Sequence, residues 1–137
     1  MHTYTARRRV EFADTDLGGI CHFSRFVVFM ETAEHLFFEQ IGSSVHVEVD
    51  GKPVGWPRVS LQVDYKRPAR YADLLDIEVR ILRKGSKSLT FGHRVLRDGE
   101  ELASGTMTSV CCVLEEGAVR SIPIPAAIAD RIEQAPA

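Results

Sequence analysis

Val10-Glu11-Phe12-Ala13-Asp14-Thr15-Asp16-Leu17-Gly18-Gly19-Ile20 joins the end of an apolar strand to a glycine-rich turn, and a long helical pattern follows it. Residues 4–12 alternate weakly and carry Val10 and Phe12, which predicts a first strand. Two successive glycines let the backbone take positive φ or approach another group closely. From Phe23 to Ile41 the period changes. Phe26, Phe29, Met30, Ala33, Phe37 and Ile41 recur at spacings of three and four, with Arg25, Glu31, Glu34, His35 and Glu39 assigned to other faces. Gly42 is a suitable C-terminal stop. Four of the seven phenylalanines fall between Phe26 and Phe38, so this helix is expected to be buried against a sheet.

Residues 43–57 read as irregular, broken by Asp50-Gly51, Pro53, Gly55 and Pro57. Four strand patterns follow: Val59 to Tyr65, Leu75 to Ile81, Leu89 to Val95, and a long run from Leu102 to Leu114. Lys84-Gly85-Ser86-Lys87 and Asp98-Gly99 are hairpin-type turns. A short last helix is expected from Pro125 to about Gln134, then a frayed tail to Ala137. The class is therefore α+β. One helix cannot cover both faces of a five-stranded antiparallel sheet, and the simplest layered solution curls the sheet around the helix. A strand edge or outer face left over would favour dimerisation.

The chain has 137 residues, which suits a single domain over 1–137. Its net charge is -2, which exerts no general pull on nucleic acid. The N-terminus lacks a long apolar run, so neither a secretory signal nor a membrane span is expected. Cys21, Cys111 and Cys112 are odd in number, and two are adjacent. That is no disulfide framework, and a reducing cytoplasmic setting fits it. Cys111 and Cys112 are expected mid-strand on opposite faces. Neither has metal-ligand spacing with a histidine, so no metal is expected.

The loop and helix start resemble the 4-hydroxybenzoyl-CoA thioesterase family, whose fold is the hotdog. The resemblance rests on Asp14-Thr15-Asp16 after an apolar strand, then Gly18-Gly19 before the helix. Phe26, Phe29, Glu31, Ala33, Phe38 and Gly42 fit the family's helix text. A second block, Val63-Asp64-Tyr65-Lys66-Arg67-Pro68-Ala69 with Asp73, resembles its following strand and turn. The similarity spans roughly residues 7–125. It implies a curved sheet around a helix at about 23–41, and hydrolysis of an acyl-CoA to acid and free thiol. Coenzyme A belongs to the substrate, and no cofactor is implied. A homodimer or homotetramer with its active site at a subunit interface is implied as well.

Thioester hydrolysis needs a carboxylate that attacks directly or activates water, and donors aimed at the developing oxyanion. A helix N-terminus supplies unpaired amides and a positive dipole end. The resemblance maps the catalytic carboxylate onto Asp16 and the polarising amide onto the backbone N–H of Phe23. On composition alone, Asp16 reads as well as a loop carboxylate that caps the helix or closes an Asx turn. Asp14 is assigned a structural turn role. Gly19 would let the loop pass close to substrate. His22 is a pocket wall, an exposed loop residue, or an acid, base or substrate contact, and His22-Phe23 replaces the Tyr-His pair of the family's short-chain branch. Glu31 is a buttressing or solvent-facing charge, or else a catalytic acid of the kind some hotdog enzymes carry on this helix, or a substrate contact. Cys21 reads as a small buried hydrophobe.

The phosphates of coenzyme A match the cations and hydroxyl of the Lys84, Ser86 and Lys87 turn. A solvated hairpin explains the same residues. His22, Phe23, Phe26 and Trp56 suit an aromatic acyl pocket. The expected activity is hydrolysis of an aromatic or short-chain acyl-CoA. A non-hydrolytic acyl-CoA-binding protein, a dehydratase-like protein and an acyl-carrier-protein thioesterase are the alternatives.

Overall fold

The phenylalanine-rich segment folds as α1, Phe23–Gln40, in a computed structural model that describes residues 1–137. Its buried side is Phe26, Phe29, Met30, Ala33, Glu34, Phe37 and Phe38. Burial of each large apolar side chain contributes about 1.5–3 kcal/mol, so this one stripe commits the helix to a sheet. The sheet it meets has the order β1-β5-β6-β7-β4. The strands are β1 Thr3–Arg9, β4 Arg58–Tyr65, β5 Leu74–Lys84, β6 Ser88–Arg97 and β7 Glu100–Val110. Every neighbouring pair is antiparallel. In β5, Leu75, Ile77, Val79 and Ile81 are buried, while Asp76, Glu78 and Arg80 point away. That is the period-two pattern of a sheet with one covered face. Helix α1 lies against β1, β5 and β6.

Four short strands build a second sheet, ordered β2-β3-β8-β9. They are β2 Glu48–Val49, β3 Lys52–Gly55, β8 Cys112–Glu115 and β9 Ala118–Ser121. The 43–57 segment expected to be irregular therefore contains two of them. The 102–114 run also differs from expectation, because it is not one strand. The Cys111 N–H donates to Lys87 O at 2.7 Å as a last rung of the β6–β7 ladder, and beyond it the chain leaves that ladder. It then continues as β8 beside β3. Cys111 and Cys112 are both buried, so the opposite-face expectation fails at this switch between sheets.

The last helix is shorter than expected: α2 spans only Ala126–Ala129. The tail beyond it is tied down. Glu133 N–H donates to Met1 O and Ala135 N–H to Ile81 O, and Ile132 and Ala135 are buried. The Asp98-Gly99 hairpin holds both residues at positive φ, 51° and 81°, which matches the right-handed twist of the strands it joins. β4 is an open edge and is exposed along nearly its whole length. Val59, Leu61 and Tyr65 expose 62%, 51% and 46% of their surface. No helix is long and apolar enough to cross a membrane.

Candidate active site

The loop between β1 and α1 is built on Asp14. Phe12–Asp14 form a 3-10 turn, and the Asp14 side chain is buried. It accepts hydrogen bonds from Glu11 N–H at 2.8 Å and Arg25 Nε at 2.7 Å, with Arg8 3.8 Å away. Its own carbonyl accepts from His22 N–H at 2.8 Å. Asp14 thus fastens the loop to the first turn of the helix, and the structural role expected for it is the one seen.

Asp16 sits at the tip, exposed. Its Oδ1 accepts from Gly18 N–H at 2.8 Å, and its carbonyl accepts from Gly19 N–H. This is an Asx turn closed by the side chain. Gly19 has φ +75°, and a Cβ there would touch nothing within 4 Å. Glycine is required by the left-handed backbone, not by a close neighbour.

His22, not Asp16, caps α1: its Nδ1 accepts from Ser24 N–H at 3.3 Å, and its ring stacks on Phe23 at 4.5 Å. Arg25 N–H is held by His22 O. The Phe23 N–H makes no hydrogen bond to any protein group. It is an orphan donor at the positive end of an 18-residue helix. The Asp16 carboxylate and the Phe23 turn border the same cleft, about 460 Å³, together with Ile20, Cys21, Phe26, Tyr65, Lys66, Arg67 and Pro68. The Tyr65 hydroxyl donates to Phe23 O at 2.8 Å, and its ring meets Phe26 edge-on. Burial, then the nearby Cys21, raises the Tyr65 phenol above its ordinary range. Burial, then the Asp14 charge, pushes the Cys21 thiol up to about 11. The wall of the cleft is therefore neutral near Asp16, with cations at its rim. Lys66 pairs with Glu101, and Arg67 lies 3.5 Å from Glu100.

Other sequence candidates lie elsewhere. Glu31 is eight residues along α1 from Phe23, about 12 Å at the helical rise. It is exposed and lies 3.8 Å from Arg58. His22 does not border the cleft shared by Asp16 and Phe23; Gly19 borders a neighbouring hollow, on the other side of Asp16, together with Asp16, Phe12, Thr15, Leu17 and Tyr71. The Lys84, Ser86 and Lys87 turn lies far from Asp16 within one chain. The loop meets β5 at its start, through Val10 N–H to Asp73 O, whereas the turn follows its far end. Eleven residues of strand span roughly 35 Å, so one chain does not bring the turn to Asp16. The Lys84 ammonium also donates to Ala129 O at 2.6 Å and Ile132 O at 2.9 Å, holding the C-terminal segment.

The sequence reading missed a buried polar cluster. Glu34 had been assigned to a polar helix face, yet it is 1% exposed. Its Oε1 accepts from Arg58 at 2.5 Å, and the ring of His93, also buried, lies 3.0 Å from its Oε2. A signal was present: Glu34 follows Met30 by four and precedes Phe37 by three, so it falls on the apolar stripe. Tyr65 and Lys66 were read only as strand text and prove to line the cleft.

The model of the thioesterase-like superfamily matches residues 10–132. The chain is 24% identical over 117 residues to the acyl-CoA thioesterase YbgC of Haemophilus influenzae, covering 85% of each protein. Among solved structures, it is similar to the gentisyl-coenzyme A thioesterase BH1999. That match has a TM-score of 0.83 and 28% identity, over 95% of this chain and 100% of the other. The 4-hydroxybenzoyl-CoA thioesterase of Pseudomonas sp. strain CBS-3 shares the fold at a TM-score of 0.83 and 23% identity, over 96% and 99% of the two chains.

Proposed function

The chain belongs to the thioesterase-like superfamily, and from that we propose that it hydrolyses an acyl-CoA thioester with Asp16 as its catalytic carboxylate. The observation that supports the reading is that an exposed Asp16 and Phe23, whose backbone N–H is unbonded, border one cleft. A thioester carbonyl placed between them accepts from the Phe23 amide, where the helix dipole favours the oxyanion. Asp16 then either attacks the carbonyl carbon or takes a proton from an attacking water. Both routes consume one water and release the acid and the coenzyme A thiol. Ile20, Phe26 and Tyr65 give the cleft an apolar wall against which an acyl group can pack. Gly19 and His22 shape the loop and the cap, so their effect on substrate passes through Asp16 and Phe23.

The finer architecture belongs to the same reading: a hotdog arrangement in which the five-stranded sheet wraps α1. The open β4 edge, with its exposed Val59, Leu61 and Tyr65, supports a homodimer joined along that strand. Three buried, unbridged cysteines support a reducing cytoplasmic setting. An aromatic or short-chain acyl group fits a cleft of this size.

A thiol-release assay over aromatic, short-chain and long-chain acyl-CoAs tests the proposal. Asp16→Asn should lower kcat on the order of 10³-fold while keeping the melting temperature, because an Asn carbonyl can still accept from Gly18 N–H. A variant that releases thiol as fast as wild type removes Asp16 from catalysis. A wild type inert towards every CoA and carrier-protein thioester removes the hydrolase reading itself.

A further inference from the structure

Tyr65 is the last residue of β4 and pairs with Ala103 of β7, so the sheet fixes its backbone. Its ring meets Phe26 edge-on at 5.3 Å, and Phe26 is 2% exposed. The hydroxyl is thereby aimed at the first turn of α1, where it donates to Phe23 O at 2.8 Å. A phenol hydroxyl has one proton. With that proton on Phe23 O, the hydroxyl does not also donate to a thioester carbonyl. Any effect of Tyr65 on an oxyanion therefore passes through the helix.

The first turn is otherwise tied mostly to its own neighbourhood. The peptide that carries the Phe23 N–H is held through His22 O, which accepts from Arg25 N–H at 3.0 Å. His22 N–H donates to Asp14 O at 2.8 Å, and Ser24 N–H reaches His22 Nδ1 at 3.3 Å. Each of these ties begins and ends within residues 14–25, so all of them can tilt together with the helix end. The Tyr65 hydroxyl fastens the same turn to the sheet. A second tie runs beside it, from Cys21 N–H to Ala69 O at 2.7 Å. Between Tyr65 and Ala69 lie Lys66, Arg67 and Pro68, which border the cleft. An oxyanion donor works over a narrow range, about 2.7–3.1 Å, and helix ends fray. A clamp at Phe23 O holds the neighbouring N–H within that range.

We propose that Tyr65 is a positioning residue for the oxyanion site: its hydroxyl fixes the first turn of α1 so that the Phe23 N–H meets the thioester oxygen in the transition state. The catalytic consequence rests on the hydrolase reading above; the clamp does not. Burial, then Cys21, raises the phenol above its ordinary value of about 10, so the proton it donates stays in place through neutral and mildly alkaline pH.

Tyr65→Phe removes the hydroxyl and keeps the ring against Phe26. In the thiol-release assay kcat should fall about three- to tenfold, the worth of one neutral hydrogen bond, with KM unchanged. The ratio of wild-type to variant kcat should be level from about pH 6 to 9. A role in stability alone would lower the melting temperature and leave the kcat of the folded variant unchanged. An unchanged kcat, a loss confined to KM, or a ratio that changes with pH over that range, as for a tyrosine acting as acid or base, overturns the proposal. So does a variant that does not fold by circular dichroism, since the hydroxyl would then support the whole domain and not one turn. The clamp is also read without turnover. The seven phenylalanines are labelled with ¹⁵N, and the Phe23 signal is assigned by its loss in Phe23→Leu. Its heteronuclear NOE should drop in Tyr65→Phe as the turn loosens. A wild type that releases no thiol removes the hydrolase reading and leaves this measurement to decide the clamp; an unchanged NOE overturns the proposal in either case.

Discussion

Replacing Asp14 by Asn should damage the protein more than replacing Asp16, although only two residues separate them. The Asp14 carboxylate accepts from Arg25 Nε and from Glu11 N–H with different oxygens, and Arg8 adds a more distant cation. An asparagine keeps one acceptor and turns an NH₂ towards the other donor. It also removes the negative charge between two guanidinium groups. Breaking a fully buried pair costs about 3–5 kcal/mol. The Arg25 and Arg8 side chains are 36% and 28% exposed and regain water when released. The smaller figure for a charge-assisted hydrogen bond, about 1.5–3 kcal/mol, is therefore the better expectation. With an unfolding entropy of about 2.1 cal/mol/K per residue over this chain, the melting temperature should drop by roughly 5–10 °C. Circular dichroism melts at neutral pH, with Asp16→Asn as the paired control, give the test. A drop below about 2 °C in Asp14→Asn, or an equal drop in both variants, refutes the view that Asp14 fastens the loop while Asp16 is free for chemistry.

Acid should weaken the fold through Asp73 and Glu101. Burial raises the Asp73 carboxyl, but bonds from Arg70 N–H and Arg97 outweigh it, and the net value lies below the ordinary range. Lys66, then Arg94, lowers Glu101. Carboxyls depressed in the folded state stabilise it fully above the unfolded value of about 4, and that contribution is lost as pH falls through the folded values. Urea midpoints should be level from pH 7 to about 5 and fall below about 4; a midpoint level to pH 3 contradicts this. Burial pushes Cys21 and Cys111 up to about 11, leaving about one thiolate in a thousand at pH 8. Alkylation followed by mass spectrometry should label them slowly in the native protein and quickly in urea, and fast native labelling of either thiol would count against it. Gly105→Ala places a Cβ 2.7 Å from Gln62 O and 3.2 Å from Val63 Cγ2. It should cost about 1–3 kcal/mol by forcing β4 and β7 apart, and an unshifted urea midpoint would show that the pair yields freely.

The helix and main strands were legible because each carries an uninterrupted period. The 3–4 spacing of Phe26, Phe29, Met30, Ala33 and Phe37 fixed α1 to within one residue at its C-terminal end. The small sheet was not legible, since β2 and β3 are too short to show alternation and lie among Pro53, Gly55 and Pro57. The break after Cys111 was hidden because apolar residues run on through it, and only the pairing of Cys112 with Gly55 and Ser121 shows that the chain has changed sheets. At the candidate site, the turn built on Asp14 was readable from local text, whereas Asp16 and the Phe23 amide were pointed to by the resemblance. The contributions of Tyr65 and Lys66 depend on β4 closing over the helix start, a contact some forty residues away in the chain that no local pattern encodes. Glu34 was misplaced because charge was taken as a sign of exposure, whereas Arg58 and His93 shelter it.

The register of β1 has a consequence for how the chain is made. Arg9 pairs with Leu74 and Thr3 with Arg80, so the first strand to leave the ribosome waits for the fifth. Over that interval α1 also exists without the sheet that covers Phe26, Phe29 and Phe37. β5, β6 and β7, in contrast, form a meander of adjacent hairpins that close quickly, with Asp98-Gly99 nucleating the second. The meander is thus the template, and the N-terminal half condenses onto it late. Nascent chains that stop before Leu74 carry an oily helix with nowhere to dock, and they are the forms a cell must shield.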